Sequence, residues 1–187
     1  MPERPVVAVP NPVLKQVAVP VGAAPALSCD ALRRLAADLV DTMRVSPGCV
    51  GLAAPQIGVA RRGFCVDVSG HPSQLARAGA QTPAARNHGL IVLFDPELLH
   101  AGDSLVRREG CMSVPDLTAD VRRALRVVVR GTGPDGRERV VDAEGFEARA
   151  VQHELDHLDG LLILDRVASL HTDVFRRRVY QPRRAPR

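Results

Sequence analysis

The chain has 187 residues, of which 45% are hydrophobic. This length fills one core and is short for two independent domains, so we predict a single domain spanning residues 1–187. The net charge of +4 does not indicate DNA binding, because Lys15 is the only lysine among 25 basic residues and the 3% of aromatic residues are too few for base stacking.

The N-terminal third is predicted to contain an arm and one helix. Residues 1–26 are interrupted by prolines, with a turn signal at residues 10–12, and we expect them to form an extended arm. Ser28 can cap a helix that ends before Pro47 and Gly48. The apolar positions of this helix recur at helical spacing and are Leu32, Leu35, Ala36, Leu39, Val40 and Met43. The pattern is typical of a helix packed on a core, so its expected role is structural.

Residues 49–58 are small and apolar except for Gln56. Small side chains let a backbone approach a ligand closely, and a buried amide must find a hydrogen-bonding partner. A tight turn that enters a strand would have the same pattern. Both interpretations remain open at this point.

The middle of the chain is predicted to form strands. Residues 62–68 and 90–94 are β-like, and residues 69–89 between them are rich in Ala, Pro, Gly and Gln, which is typical of a surface loop. Turns are predicted at residues 95–96 and 101–103. Four histidines are isolated in the sequence and are expected to be exposed without a role; they are His71, His88, His100 and His171.

A further strand is predicted to end at Cys111, where the thiol is either a small core residue or a ligand. Residues 121–130 and 137–142 are predicted to form a hairpin around residues 133–136. The four cysteines, Cys29, Cys49, Cys65 and Cys111, have no C-x-x-C spacing and are expected to be free thiols. The N-terminus has no signal-peptide pattern and no apolar run is long enough to cross a bilayer, so we expect a cytoplasmic protein.

The segment from Gln152 to Gly160 reads Gln-His-Glu-Leu-Asp-His-Leu-Asp-Gly. The apolar residues around it follow a helical spacing, and in a helix His153 and His157 lie one turn apart on one face with Glu154 beside them. Two imidazoles so placed can hold one metal ion, and the carboxylate can then take a proton from a water on that ion. A chance pair of histidines on a structural helix is the alternative interpretation.

A hydrolytic metal site needs a third protein ligand and an open position for water. No Glu follows Glu154, and the longer motif that ends in a third histidine has Ile163 at that position. Downstream, Asp165 or Asp173 could serve, which would indicate a zinc endopeptidase. Upstream, Cys111 is a soft donor and the better candidate.

Three separated motifs resemble those of the peptide deformylase family. They are Gly51-Leu52-Ala53-Ala54-Pro55-Gln56, then Glu109-Gly110-Cys111-Met112-Ser113, then Gln152-His153-Glu154-Leu155-Asp156-His157. The segment Pro12-Val13-Leu14 also resembles the family's N-terminus, so the likeness covers nearly the whole chain. The resemblance implies an α+β fold in which mixed antiparallel sheets surround a central metal-binding helix.

The resemblance also implies a role for each motif residue. Cys111, His153 and His157 would bind the metal, with water in the fourth position. Glu154 would deprotonate this water, which attacks the formyl carbon of an N-formylmethionyl peptide. The Gln56 amide and the backbone N–H of Met112 would stabilise the developing oxyanion. The peptide groove and the methionine pocket would be lined by Val50, Gly51, Glu109, Gly110, Phe146 and Ala150. Asp156 would support the site without binding the metal.

The sequence departs from the family pattern at two positions, where the family usually has Gly at Cys49 and Leu at Met112. The first raises a question about the local backbone, because Gly permits dihedral angles that Cys resists. Cys49 is expected to be a packing residue, with a redox-sensitive thiol as the alternative. The family resemblance favours Fe²⁺ as the metal in the cell, replaceable by Zn²⁺, Ni²⁺ or Co²⁺.

Residues 169–187 are predicted to form a basic C-terminal tail. Because formylated nascent chains appear at the ribosome, this tail could hold the enzyme there transiently through phosphate contacts. A non-catalytic basic module that binds the ribosome is the alternative from a different class. No membrane or DNA partner is expected.

Overall fold

The computed structural model describes residues 3–72 and 87–177, which form two antiparallel sheets and two α-helices. The helices are α1 Cys29–Val45 and α2 Gly145–Leu158, and single 3₁₀ turns occupy Pro12–Lys15, Ala54–Ile57 and Ile163–Asp165. The strands are β1 Gly51–Ala53, β2 Gly63–Val66, β3 Ile91–Ala101, β4 Ser104–Cys111, β5 Val114–Ala124, β6 Arg126–Thr132, β7 Glu138–Glu144 and β8 Val174–Arg176. In these ranges no helix combines the length and the apolar character that crossing a bilayer requires.

The two sheets place α2 at the centre of the molecule. The five-stranded sheet has the order β1-β2-β3-β6-β7 and the three-stranded sheet has the order β4-β5-β8. Helix α2 contacts strands of both sheets, including β1, β2, β7 and β5. The predicted α+β architecture, with antiparallel sheets around a central helix, is therefore observed.

Apolar side chains fill the space on both faces of the larger sheet. On one face, Phe64, Leu93 and Val129 pack with Val151 and Leu155 of α2. On the opposite face, the apolar stripe of α1 packs against residues that include Leu52, Ile57 and Phe94. A third cluster joins the N-terminal arm to the smaller sheet and contains Leu14, Cys111, Val121 and Ile163. Burial of these side chains removes apolar surface from water and holds α2 in place.

Helix α1 begins and ends close to the predicted boundaries. The Ser28 hydroxyl accepts a hydrogen bond from the backbone N–H of Ala31 at 3.2 Å, which caps the helix. The helix ends at Val45, before Pro47 and Gly48. Its predicted structural role is consistent with a buried face that contributes no residue to the site described below.

The predicted turn at Asp95 and Pro96 is wrong, because β3 continues through these residues to Ala101. The register of β3 against β6 shifts between Phe94 and Glu97, so the proline occupies a bulge. Asp95 has a φ of +45° and its carboxylate accepts a hydrogen bond from the Val21 N–H at 2.8 Å. This contact with the N-terminal arm stabilises the backbone conformation of Asp95. The strand therefore continues where the sequence alone predicts a turn.

The single strand predicted at residues 121–130 is also wrong, because the chain changes sheets at Leu125. β5 ends at Ala124 in the smaller sheet and β6 begins at Arg126 in the larger one. The predicted hairpin around residues 133–136 is present between β6 and β7, with Thr132 opposite Glu138. Gly136 has a φ of +77°, which explains the glycine in this turn.

Two predicted surface segments fall partly on residues that the structure does not describe. Residues 73–86 of the predicted loop 69–89, and residues 178–187 of the predicted tail, lie outside the described residues. Within the described part of the predicted tail, Val174–Arg176 form β8 and pair with β5. The C-terminal segment is therefore part of the smaller sheet as far as Arg176.

Candidate metal centre and active site

Helix α2 presents its two histidines toward Cys111 of the smaller sheet and Glu154 toward Gly51 of the larger sheet. It begins at Gly145, with a φ of +60°, and ends at Leu158, two residues before Gly160, whose φ is +71°. A Cβ on Gly160 would lie 2.9 Å from the backbone of Lys15, so glycine is needed there for close packing of the arm as well as for the turn. The predicted helix and its C-terminal glycine are confirmed.

Three potential metal ligands meet at one point. The ligand atoms of Cys111, His153 and His157 all lie within 4.8 Å of one another, and Cys111 Sγ is 3.2 Å from His157 Nε2. Cys111 is the last residue of β4, so its position depends on packing of the smaller sheet against α2. The structure thus brings together the three residues that the sequence motifs indicated.

The alternative third ligands are engaged elsewhere. Asp165 accepts hydrogen bonds from Lys15 Nζ and from the Leu162 N–H, both at 2.7 Å. Asp173 accepts from the Ser169 N–H at 2.9 Å. Among the described residues, neither belongs to a group that could hold a metal ion, so the arrangement does not support the endopeptidase interpretation.

The donor set fits a divalent transition metal. One thiolate with two imidazoles suits Zn²⁺ and Fe²⁺, and Cys111 and His153 line a cleft that leaves a position for water or substrate. Burial lowers the pKa of His157 well below the ordinary value, so this ring is neutral, as ligation requires. Burial also opposes the charge on His153, but hydrogen bonds with Cys111 and Glu109 outweigh it and raise its pKa.

A buried ion-pair chain orients His153. Its Nδ1 lies 3.1 Å from Glu109 Oε2, and Arg123 donates to both oxygens of the same carboxylate at 3.1 and 3.0 Å. Arg123 also donates to Asp156 Oδ2 at 2.6 Å. Burial opposes ionisation of Glu109, yet the hydrogen bonds from His153 and Arg123 lower its pKa to about 2. Such a carboxylate–histidine contact fixes the ring and leaves its other nitrogen available to a metal ion.

Sequence reasoning missed Arg123. A signal for it existed, because Ala119, Val121 and Arg123 alternate along β5 and the first two are inward-facing apolar residues. A charged residue on the same face of the strand as these two is buried and must be paired with an opposite charge. Arg123 is 4% exposed, in agreement with this rule.

Glu154 is buried beside the candidate metal ligands. It is 3% exposed, and its Oε2 has no hydrogen-bond partner among the described residues. Burial raises its pKa to about 7, against the opposing charges of His153 and Arg123. A carboxylate with one free oxygen and a pKa near neutrality is suited to accept and return a proton.

The Gln56 amide has a fixed orientation. Its Oε1 accepts from the Ala53 N–H at 2.9 Å, so its NH₂ group faces Ser113 Oγ at 3.2 Å and Cys111 Sγ at 3.7 Å. Gln56 is 2% exposed and lies in the 3₁₀ turn that follows β1. The interpretation of residues 49–58 as a ligand-approaching segment is therefore favoured over a simple turn. Ser113, which is completely buried, was not identified from the sequence.

Cys111, His153, Glu154 and Gln56 border a cleft of about 340 Å³. Every residue that the family resemblance assigned to the peptide groove or the methionine pocket lines it, namely Val50, Gly51, Glu109, Gly110, Phe146 and Ala150. Gln56, Met112 and Glu154 also line the cleft. Three arginines that sequence reasoning did not assign, Arg108, Arg149 and Arg177, complete its charged border.

Two of the histidines that were expected to be isolated and exposed have partners. His71 stacks on Phe146 with ring centroids 4.5 Å apart and borders the cleft. His88 donates its backbone N–H to the buried Glu147 carboxylate at 2.8 Å, and its Nδ1 lies 2.8 Å from the same group. The predicted isolation was wrong for both residues because their partners are distant in sequence, whereas the predicted exposure is observed for His88. His100 and His171 are exposed, as predicted.

Cys49 causes no backbone strain. The left-handed conformation in this loop is adopted by Gly48, with a φ of +71°, and Cys49 is not among the described residues with positive φ. Its thiol donates to the Gly51 carbonyl at 3.0 Å. Burial, followed by the Glu154 charge, raises its pKa to about 12, so the thiolate is disfavoured. The packing interpretation of Cys49 is supported over the redox-sensitive one.

Comparison with known proteins places this arrangement in a family. The sequence model of the polypeptide deformylase family matches residues 3–173. A peptide deformylase from Acidobacterium capsulatum is 38% identical over 182 residues, which cover 97% of this chain and 96% of that protein. A peptide deformylase from Rhizobium meliloti is 36% identical over 176 residues, covering 94% of this chain and 91% of that protein.

Solved structures show the same relationship. A class I type b peptide deformylase from Acinetobacter baumannii, bound to Met-Ala-Ser, has a TM-score of 0.75 at 34% identity, covering 89% of this chain and 99% of that one. The enzyme from Thermotoga maritima has a TM-score of 0.74 at 30% identity, covering 90% and 100%. The chain therefore belongs to the polypeptide deformylase family, whose members are hydrolases that remove the N-formyl group from newly made peptides.

Proposed function

We propose that the cleft hydrolyses the formamide of an N-formylmethionyl peptide, with Cys111, His153 and His157 holding one divalent metal ion. The observation that carries this assignment is the convergence of these three donors at one edge of a cleft that Cys111 and His153 line together with Glu154 and the Gln56 amide. The donors and Glu154 come from β4 and α2, and Gln56 comes from the turn after β1. When bound, the metal supplies Lewis-acid chemistry that makes water nucleophilic near neutral pH.

Glu154 moves the proton in this reaction. Its carboxylate takes a proton from the attacking water, and the oxygen of that water forms a bond to the formyl carbon. The C–N bond then breaks, and Glu154 returns the proton to the leaving amine. One water is consumed, and formate and the free methionyl peptide are released. Oε2 of Glu154, which has no hydrogen-bond partner in the described part of the chain, is the atom available for this transfer.

Two neutral donors stabilise the charge that develops on the formyl oxygen. The NH₂ group of Gln56 is aimed toward Cys111 because Oε1 is held by the Ala53 N–H. The backbone N–H of Met112, which follows Cys111 directly, is the second donor. Donors that are already oriented before the reaction stabilise the transition state without a reorganisation cost.

The substrate is bound by the cleft residues on both sides of these donors. Phe146 and Ala150 line an apolar part of the cleft that suits a methionine side chain, while Gly51 and Gly110 let a peptide backbone approach closely. Val50 and Glu109 complete the groove, and Glu109 also orients His153. The Acinetobacter baumannii relative binds Met-Ala-Ser, which has the form of a deformylated product.

The metal in the cell is proposed to be Fe²⁺, with Zn²⁺, Ni²⁺ and Co²⁺ as replacements. The ligand set accommodates each of these ions, so metal availability decides the occupancy. The experiment is anaerobic purification, followed by metal analysis and an assay of formate release from formyl-Met-Ala. Iron at one equivalent together with formate release is expected, and a metal-loaded protein without formate release would overturn the assignment.

Variants distinguish this function from its alternatives. Glu154→Ala should give a folded, metal-loaded and inactive protein, whereas a non-catalytic binding module would be unaffected by the change. Cys111→Ala should lose the metal, while Asp165→Ala and Asp173→Ala should retain it. Retention of metal by Cys111→Ala and its loss from either Asp variant would favour the endopeptidase.

We also propose that the enzyme acts in the cytoplasm and contacts the ribosome transiently through its basic C-terminus. Arg177 contacts Cys111 and Val174–Arg176 form β8, so a truncation that tests this contact must begin after Arg177. Removal of residues 178–187 should lower co-sedimentation with ribosomes and leave hydrolysis of formyl-Met-Ala unchanged. Unchanged co-sedimentation would refute the contact.

A further inference from the structure

Arg177 lies at the back of the candidate oxyanion site. Its Nη2 donates a hydrogen bond to the Cys111 carbonyl oxygen at 2.8 Å. It also borders the cleft, and a Cβ on Gly110 would lie 2.8 Å from the same nitrogen. The guanidinium therefore occupies space that exists because residue 110 has no side chain.

The position of Arg177 is determined by β8. Leu117 of β5 lies opposite Arg176 and Thr118 lies opposite Phe175, and the Arg177 N–H donates to the Asp116 carbonyl at 2.8 Å. The Arg108 guanidinium stacks on the Phe175 ring, with its Cζ 3.3 Å from the ring centroid. This cation–π contact also holds β8 in place. Pairing of the C-terminal strand thus delivers one guanidinium to the end of β4.

The acceptor of this hydrogen bond belongs to the peptide group that matters for catalysis. The carbonyl of Cys111 and the N–H of Met112 are the two ends of one planar peptide unit. A hydrogen bond to the carbonyl fixes the plane, and so fixes the direction in which the Met112 N–H points. It also polarises the peptide group, because a hydrogen bond accepted by the carbonyl oxygen makes the N–H of the same peptide a stronger donor.

We propose that Arg177 is a positioning residue that orients and polarises the Cys111–Met112 peptide so that the Met112 N–H stabilises the oxyanion. This inference rests on the proposed function and adds a residue to it. Arg177 does not touch the reacting atoms, and it acts through the peptide group. The C-terminal strand thereby serves to hold one positioning side chain, that of Arg177, against the end of β4.

The surroundings of Arg177 support this role over a purely structural ion pair. Within residues 3–72 and 87–177, its guanidinium makes no salt bridge, its Nε has no partner, and the Cys111 carbonyl is its hydrogen-bond acceptor. A charged donor makes a hydrogen bond about twice as strong as a neutral one. The positive charge is thus directed to a single peptide oxygen.

The kinetic test compares Arg177→Gln with Arg176→Gln, which removes the same charge from an exposed neighbour in β8. Loss of an oxyanion donor costs about 100-fold or more in kcat, and weakening one through its peptide should cost less, about tenfold. We expect Arg177→Gln to lower kcat on formyl-Met-Ala about tenfold with KM nearly unchanged. Arg176→Gln should match the wild-type enzyme, and Arg177→Lys should lie between the two.

Chemical rescue separates positioning from structural damage. Arg177→Gly should regain part of its kcat when methylguanidinium is added, and urea at the same concentration should restore nothing. Equal metal content and equal thermal midpoints are expected for the wild type and Arg177→Lys. Wild-type kcat in Arg177→Gln, or a loss of kcat in Arg177→Lys explained by loss of metal, would overturn the inference.

A spectroscopic measurement tests the contact independently of activity. In the ¹⁵N-labelled Zn²⁺ form, loss of the hydrogen bond at the Cys111 carbonyl should move the Met112 amide nitrogen to lower frequency in Arg177→Lys and Arg177→Gln. Arg176→Gln should leave this resonance in place. An unchanged Met112 resonance in Arg177→Lys and Arg177→Gln overturns the inference even if the wild-type enzyme releases formate. Failure of the wild type to release formate overturns the proposed function instead.

Discussion

Gly51 packs directly against Glu154, so closely that a Cβ at residue 51 would lie 2.5 Å from Glu154 Oε1. The atom that would have to move is the end of a side chain, and we therefore predict that Gly51→Ala displaces the carboxylate without unfolding the protein. Displacement of a catalytic group by about 1 Å can cost about 100-fold in rate. The measurement is kcat for formate release, together with metal content.

The matched control for this variant is Gly70→Ala, since a Cβ at residue 70 would meet no atom of residues 3–72 and 87–177 within 4 Å. Gly70→Ala should retain wild-type kcat. If Gly51→Ala is as active as Gly70→Ala, the close approach of residue 51 to the carboxylate has no catalytic consequence and the prediction is wrong.

Arg123 is predicted to stabilise both the fold and the metal centre. It is buried between the carboxylates of Glu109 and Asp156, and removal of one member of a buried ion pair leaves an uncompensated charge. Arg123→Met should lower the free energy of unfolding of the metal-free protein by about 3–5 kcal/mol. It should also weaken metal binding, because Glu109 would no longer be held against His153.

Urea unfolding and metal titration measure these two effects. Arg126→Gln is the control, because Arg126 pairs with Asp142 on the surface and its loss should barely change the unfolding midpoint. Unfolding of Arg123→Met at the same urea concentration as Arg126→Gln would show that the buried network contributes little.

Gln56 is predicted to act through its NH₂ group. Gln56→Glu keeps the size and shape of the side chain and removes the donor that faces Cys111. We expect kcat to fall about 100-fold or more, as for loss of an oxyanion donor. Gln16→Glu, an exposed change of the same chemistry, should have no effect. A rise in KM with kcat unchanged would instead assign Gln56 to substrate binding.

Cys49 is predicted to resist alkylation although it borders the cleft. Thiolate is the reactive form, and burial together with the Glu154 charge raises the pKa of Cys49 to about 12, so almost no thiolate is present at about pH 8. The exposed Cys29 should react with iodoacetamide first, as peptide mass spectrometry can show. Reactivity of Cys49 should rise only as the pH approaches its raised pKa. Modification of Cys49 at the same rate as Cys29 at about pH 8 would contradict the prediction.

The sequence by itself determined the parts of the site that are close along the chain. Helical periodicity puts His153 and His157 on one face of α2 with Glu154 beside them, and no distant contact is needed to deduce it. Cys111 could be identified as a candidate ligand only by exclusion and by family resemblance, because the local sequence does not indicate which strand end packs against α2. The wrong turn at Asp95 has the same origin, since its stabilising contact comes from Val21, 74 residues away.

The tertiary structure alone decided what surrounds the ligands. The 3.2 Å approach of Cys111 to His157 depends on how the smaller sheet packs against the helix, and the burial of Arg123 depends on the register and facing of β5. Arg177 reaches the Cys111 carbonyl because β8 pairs with β5, a contact between residues about 60 positions apart. Local spacing specifies which residues share a face of one element. Pairing between distant elements specifies distances and burial, and these set the pKa of Glu154 and the direction of the Gln56 amide.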